Sequence, residues 1–150
     1  MKFKGSIDIN QPIEKVSAIF ADPENLKEYQ EGFVKKELIS GVSGEDGAVS
    51  MMYYQNGKHK MELKETITAN KLPHSFEAIY QHKHMDNTLH CRFTALDDFT
   101  TRYESEVEYT RINWVMPKLM AILFPGMYRK PAEKWMMNFK ELVERKGNEI

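Results

Sequence analysis

The sequence predicts an α+β chain, with seven antiparallel strands forming one curved sheet around a long C-terminal helix and two short helices after the first strand. Three observations predict it. Apolar residues alternate at the N-terminus, the period stays at two from Phe33 to Arg111, and it becomes helical after Asn113. A sheet with one apolar face and a helix with one apolar stripe can bury each other. The two short helices are placed to plug one end of the sheet, which leaves room for a cavity between sheet and helix.

The elements follow in order. Phe3, Ile7 and Ile9 alternate with Lys4, Ser6 and Asp8, the pattern of a half-buried strand. Asn10 and Pro12 open a short helix carrying Ile13, Val16, Ile19 and Phe20 at helical spacing. Asp22 caps a second one, with Pro23 at the first helical position, where its missing N–H costs nothing. Strands are then expected near 33–40, 48–55, 59–69, 75–85, 88–96 and 100–111. Asn56-Gly57 reads as a two-residue hairpin turn, and Asp86-Asn87 as another. Ala132, Trp135, Met136, Phe139, Leu142 and Val143 line one face of the last helix. Glu141 and Arg145 are spaced to pair on its surface, and Gly147 is expected to end it.

Composition narrows the function classes. A chain of 150 residues, 41% hydrophobic and 29% charged, fits a single domain over 1–150 and excludes general disorder. A formal net charge of −1 supplies no pull toward nucleic acid, so no nucleic-acid partner is expected. Cys91 is the only cysteine, which rules out an intramolecular disulfide and suits a reducing cytoplasm. "MKFKGSIDIN" lacks an apolar signal-peptide core. The ten uncharged residues between Lys118 and Arg129, broken by Pro125-Gly126, are too few to span a bilayer, which takes roughly 20.

Two segments carry a resemblance. "IDINQPIEKVSAIFADPENLKEY" is similar to the strand–helix–helix opening of the helix-grip (SRPBCC, START-like) superfamily. The matching features are the Pro12 helix start, the turn from Asp22 to Leu26, and Tyr29 where many members have Trp. "FPGMYRKPAEKWMMNFKELVE" looks like the closing helix of small bacterial members. That superfamily includes START lipid-transfer domains, birch-pollen-allergen-like proteins and polyketide cyclases. The resemblance implies the helix-grip fold over essentially the whole chain and says little about reaction, because the opening motif builds the scaffold.

Hairpin register assigns side chains to faces. With Asn56-Gly57 as the turn, Tyr54 sits opposite His59 and Met52 opposite Met61, and Ser50, Leu63, Glu65 and Ile67 share their face. With Asp86-Asn87 as the turn, His82 pairs with Cys91, and Phe76, Ala78, Tyr80, His82, Leu89, Cys91 and Phe93 share a face. On the last strand Tyr103, Ser105, Val107 and Tyr109 face inward, opposite the charged Arg102, Glu104, Glu106 and Glu108. The expected ligand-binding residues are therefore Tyr54, Met61, Glu65, Tyr80, His82, Phe93, Tyr103, Trp135, Met136 and Phe139.

Glu65, His82 and, near the rim, His59 are the polar groups on this surface. An unpaired buried carboxylate is costly. Glu65 thus turns outward at a bulge, pairs with a structural neighbour, or helps orient a ligand head group. His82-Lys83-His84 has no evident third metal ligand, so neither a metal nor a cofactor is expected. Nothing marks Cys91 as a nucleophile, and no catalytic residue is assigned.

Three functions fit. The leading one is a noncatalytic binder or carrier of a small hydrophobic molecule, a lipid or aromatic metabolite. The second is a cyclase- or dehydratase-like enzyme using Glu65 and His82 as acid–base groups. The third is a module docking through 114–128, where Leu119, Ile122, Leu123 and Phe124 form an apolar lid whose outer face meets solvent, a second subunit in a homodimer, or transiently a membrane surface.

Overall fold

The computed structural model describes residues 2–112 and 130–149. Strand β1 (Lys2–Ile9) leads into helix α1 (Ile13–Ala21), a 3-10 turn (Pro23–Asn25) and the one-turn helix α2 (Leu26–Tyr29). Strands β2 (Phe33–Ser40), β3 (Val49–Asn56), β4 (His59–Lys71), β5 (Ser75–Gln81), β6 (Met85–Asp97) and β7 (Thr100–Ile112) follow, and helix α3 (Lys130–Asn148) closes the chain. The strands form one antiparallel sheet in the order β1-β7-β6-β5-β4-β3-β2. The first strand thus pairs with the last, and β1 and β2 are the two edges. This is the curved seven-stranded sheet around a C-terminal helix that the periodicity predicts.

Local chemistry explains the helical plug. The Asp22 side chain accepts a hydrogen bond from the Glu24 N–H at 3.0 Å, the expected cap, with Pro23 opening the 3-10 turn. Phe20 projects from α1 into the sheet and meets Phe93, Phe76, Phe139 and Tyr103 edge-on at ring distances of 5.2, 5.4, 6.0 and 6.2 Å. Tyr29 of α2 stacks edge-on against Phe139 of α3 at 5.0 Å. Edge-to-face pairs of this kind add directional attraction to buried area. They make one aromatic core of the plug, the closing helix and the sheet.

The far end of α3 is tied to the N-terminal segment. Lys140 Nζ donates to the Asp8 carbonyl at 2.6 Å, Lys15 Nζ to the Gly147 carbonyl at 3.0 Å, and Gln11 Nε2 to Asn148 Oδ1 at 3.0 Å. Two expectations change here. Arg145 lies 3.8 Å from Glu28 rather than pairing with Glu141, and the helical ion pair is Lys140–Glu144 at 3.1 Å. Gly147 does not end the helix, which runs to Asn148. A methyl group there would collide with the Gln11 amide, so close packing is what calls for glycine. Pro131 falls in the first turn of α3, where a missing N–H is tolerated.

Both hairpin turns are displaced from their expected places. Asn56 pairs with His59 and Tyr54 with Met61, so the turn is Gly57-Lys58, with Gly57 at φ +62° as the first central residue. A positive φ at that position alone fits a type II′ turn rather than the type I′ expected of Asn-Gly. The second turn is His82-Lys83-His84, closed by the His82 N–H donating to the Met85 carbonyl at 2.8 Å. Asp86 is no turn residue: it pairs with Gln81 and Arg111 and takes two hydrogen bonds from the Arg111 guanidinium, at 2.9 and 3.1 Å. Cys91 therefore lies opposite Phe76, not His82. Both shifts are by an even number of residues, so the assignment of strand residues to faces survives them.

Strand β2 contains register shifts between Phe33 and Lys35 and between Leu38 and Ser40. The first leaves Val34 unpaired and puts Lys36 opposite the buried Met52, on the inner face.

Candidate functional site

A cavity of about 250 Å³ lies between the concave face of the sheet, α2 and α3. Part of one rung of the sheet, Tyr80, Asn87 and Tyr109, floors it. Ser50, Glu65, Tyr80, Asn87 and Tyr109 are successive cross-strand partners on β3 to β7, and all are inward-facing. Apolar rungs flank it: Met52 and Leu63 to one side, Leu89 and Val107 to the other. Met61, Met85, Tyr103 and Ser105 extend the wall, and Tyr29, Gln30, Trp135 and Met136 close it from the helical side. Five tyrosines, one tryptophan and four methionines thus share the lining, which is adaptable apolar surface with a few polar tips.

Two sets of polar groups at the site are tied together. Glu65 is 4% exposed; its Oε2 accepts the Tyr80 hydroxyl at 2.6 Å, and Lys36 Nζ lies 2.7 Å from Oε1. The Lys36 contact is an ion pair rather than an aligned hydrogen bond. Glu65 is accordingly neither turned outward nor isolated. In the second set the Tyr54 hydroxyl donates to Gln30 Oε1 at 2.7 Å, while its ring stacks on Trp135 at 6.0 Å with 12° between the planes. Burial raises the pKa of Tyr54 and Tyr80 well above the ordinary phenol value, and the nearby Glu65 charge pushes in the same direction. Both phenols are protonated at neutral pH.

Tyr54, Met61, Tyr80, Tyr103, Trp135 and Met136 line the cavity as expected, with Glu65 directly behind Tyr80. Three other residues do not join them. Phe93 and Phe139 are fully buried in the aromatic core below the cavity, against Phe20 and Tyr103. His82 leaves the strand face for the turn, with its ring 5.6 Å from that of His84, and half-buried. Burial lowers its pKa, and the charges of His84, Arg111 and Lys83 lower it further. Glu65 and His82 are not brought together as an acid–base pair; the partners of Glu65 are Tyr80 and Lys36. His59 is exposed at its hairpin. The lid residues Leu119, Ile122, Leu123 and Phe124, with the rest of 114–128, lie outside the described residues.

Lys36, Gln30, Met85 and Asn87 belong to the site without having been expected there. Strict alternation from Phe33 sends Lys36 outward, and only the bulge at Val34 reverses it. Met85 and Asn87 were hidden by the misplaced turn. Gln30 follows a one-turn helix and carries no periodic signal.

Cys91 is buried, and burial raises its thiol from 9.0 to about 11, against the opposing hydrogen bonds of Tyr103 and Ser105. The folded chain therefore keeps a proton that the unfolded chain loses between about pH 9 and pH 11. By linkage, stability is intact below that window and falls as pH rises through it, and the raised Tyr80 and Tyr103 phenols prolong the fall. Urea midpoints at pH 8 and pH 10 should show a clear drop; equal midpoints would refute this account of the buried thiol and phenols. Among the described residues there is no group of three or more His, Cys, Asp and Glu side chains placed to hold a metal ion, and no helix is long and apolar enough to cross a membrane.

No family model matches the sequence, and no curated protein matches it either. Solved structures do match in shape. A conserved protein from Geobacillus kaustophilus superposes with a TM-score of 0.79 at 16% identity, covering 97% of this chain and 96% of its own. An aromatase/cyclase from Streptomyces sp. R1128 gives 0.79 at 9% identity, covering 97% and 94%. Norcoclaurine synthase from Thalictrum flavum, in complex with dopamine and hydroxybenzaldehyde, gives 0.69 at 16% identity, covering 95% and 86%. At such identities the likeness speaks to architecture alone. Strand order, curvature, helical plug and closing helix together give this chain the helix-grip fold.

Proposed function

We propose that the chain binds or carries one small, planar, mostly apolar molecule in the cavity between sheet and closing helix. The observation that carries this reading is the cavity itself: about 250 Å³ lined mostly by aromatic rings, aliphatic side chains and thioethers, with a few polar tips, those of Tyr80 and the Tyr54–Gln30 pair among them. An engineered apolar cavity of about 150 Å³ holds benzene, so this one has room for roughly two fused rings. The norcoclaurine synthase complex, with two single-ring aromatics bound, supports an aromatic ligand over an acyl chain. A cytoplasmic setting, consistent with a lone cysteine, belongs to the same proposal.

Titration with the neutral fluorophore N-phenyl-1-naphthylamine tests it. We expect saturable one-to-one binding that is abolished by Leu89→Trp, which fills the cavity. Absence of saturable binding, or equal binding by the filled variant, would sink the reading.

An enzymatic reading has one specific observation in its favour, the Lys36–Glu65–Tyr80 relay at the cavity floor, with the aromatase/cyclase as a structural neighbour. In that reading Tyr80 replaces His82 as the partner of Glu65. Conversion of a bound ligand, lost in Tyr80→Phe with binding retained, would favour it over carriage.

A further inference from the structure

The hydrogen-bond polarity of two cavity tyrosines bears on the chemical class of the ligand, an inference that rests on the binding reading above. A phenol has one proton to donate and lone pairs with which to accept. Tyr80 donates its proton to Glu65 Oε2 at 2.6 Å, and Tyr54 donates its proton to Gln30 Oε1 at 2.7 Å. Neither acceptor can return the favour through those atoms. Glu65 is paired with Lys36 and is acceptor-only, and the Gln30 oxygen is a carbonyl. What both tyrosines have left for a ligand is therefore an acceptor oxygen, although a tyrosine hydroxyl is ordinarily free to take either role.

The surroundings sharpen this selection. The strong Tyr80–Glu65 bond increases electron density on the Tyr80 oxygen, because a charge-assisted hydrogen bond polarises its donor. A ligand carboxylate would bring further lone pairs toward that oxygen and a negative charge toward Glu65. Lys36, the cation that could offset it, is already taken by Glu65 Oε1 and does not line the cavity. Amide hydrogens are available at the edges. Asn87 commits one N–H to the Thr88 carbonyl, in a long bond of 3.4 Å, and Gln30 Nε2 has no described partner. A group that both donates and accepts fits this arrangement, with its hydrogen on a tyrosine oxygen and its oxygen toward an amide. We infer that the ligand is a neutral hydroxylated aromatic of about two rings, held through the proton of its hydroxyl, and that anionic aromatics are rejected.

Isothermal titration calorimetry with 2-naphthol, its methyl ether and 2-naphthoate at pH 7 separates the possibilities. The ether keeps the rings and the acceptor but lacks the proton; the acid is ionised. We expect 2-naphthol to bind about tenfold more tightly than the ether, the worth of one buried hydrogen bond, and 2-naphthoate to bind least. Tyr80→Phe, checked for folding by circular dichroism, should bring 2-naphthol to within about twofold of the ether while leaving the ether's own affinity little changed. Should that variant not fold, the three affinities of the unaltered chain decide the matter by themselves. Ether or naphthoate binding as tight as 2-naphthol would overturn the inference and leave the cavity as a binding site. Binding of none of the three would remove the binding reading and this inference with it.

Discussion

Phe139→Ala is expected to destabilise the fold by about 4 kcal/mol, within the usual range for truncating a buried phenylalanine. Phe139 is 1% exposed, and rings from three different elements close on it: Phe20 at 6.0 Å, Tyr29 at 5.0 Å and Tyr103 at 5.5 Å. Those contacts join α1, α2 and the sheet to α3, so their loss cannot be absorbed by one neighbour moving. The void would be sealed on all sides, and interiors packed to crystal-like density relax poorly around such voids. Urea unfolding followed by circular dichroism measures the change. A loss under about 1 kcal/mol would mean that the site collapses or that Phe139 borders the cavity after all. Phe139→Leu, which keeps most of the volume, should retain most of the stability.

Lys36→Met should be the next most costly change, at about 3 kcal/mol, for a different reason. The Lys36 side chain is 20% exposed and Glu65 is almost fully buried, so removing the lysine strands a carboxylate with only the Tyr80 hydroxyl for company. The cost is chiefly that of an uncompensated buried charge rather than the worth of the ion pair. The double variant Lys36→Met with Glu65→Leu tests this distinction. It removes both charges and should recover most of the loss, short of about 1 kcal/mol for the Tyr80 hydroxyl left without its acceptor. If the two substitutions instead add, the pair is not coupled and the floor of the cavity is organised otherwise. Ligand binding measured on the folded double variant also shows whether the polarity of Tyr80 depends on Glu65.

How much of this was legible in the chain depends on which physical signal each feature leaves. Element order and the inner faces of β3 to β7 were legible because alternation is a property of the pleat, and an even slip in register does not disturb it. The hairpin turns were not, because Asn56-Gly57 and Asp86-Asn87 satisfy local turn chemistry while tertiary pairing places the turns elsewhere. Arg111 supplies the clearest case: its two hydrogen bonds hold Asp86 in the strand, across 25 residues of sequence. That slip is what moved His82 out of the site. Phe93 and Phe139 have the right faces but lie too deep, and depth along a strand or helix has no periodic signature. Glu65 was legible as a buried carboxylate in need of a partner, though its partners were not. One of them, Tyr80, stands next to it across β4 and β5; the other comes from the edge strand β2, two strands away.

An edge strand takes an extra residue with less disruption than a central strand does. A strand in the middle of a sheet must keep step with two neighbours, whereas β2 answers only to β3. An extra residue can therefore be slipped in at Val34 and the alternation restarted in the opposite phase, with one ladder to satisfy instead of two. Before the restart Phe33 points inward onto Tyr54; after it Lys36 does, while Lys35 turns out to pair with Glu37 and lie over the Tyr53 ring. The insertion thus sorts two adjacent, chemically identical side chains into opposite fates, one solvated and one internal. By this route a helix-grip sheet can import a positive charge to its interior from the rim, without altering a single central strand.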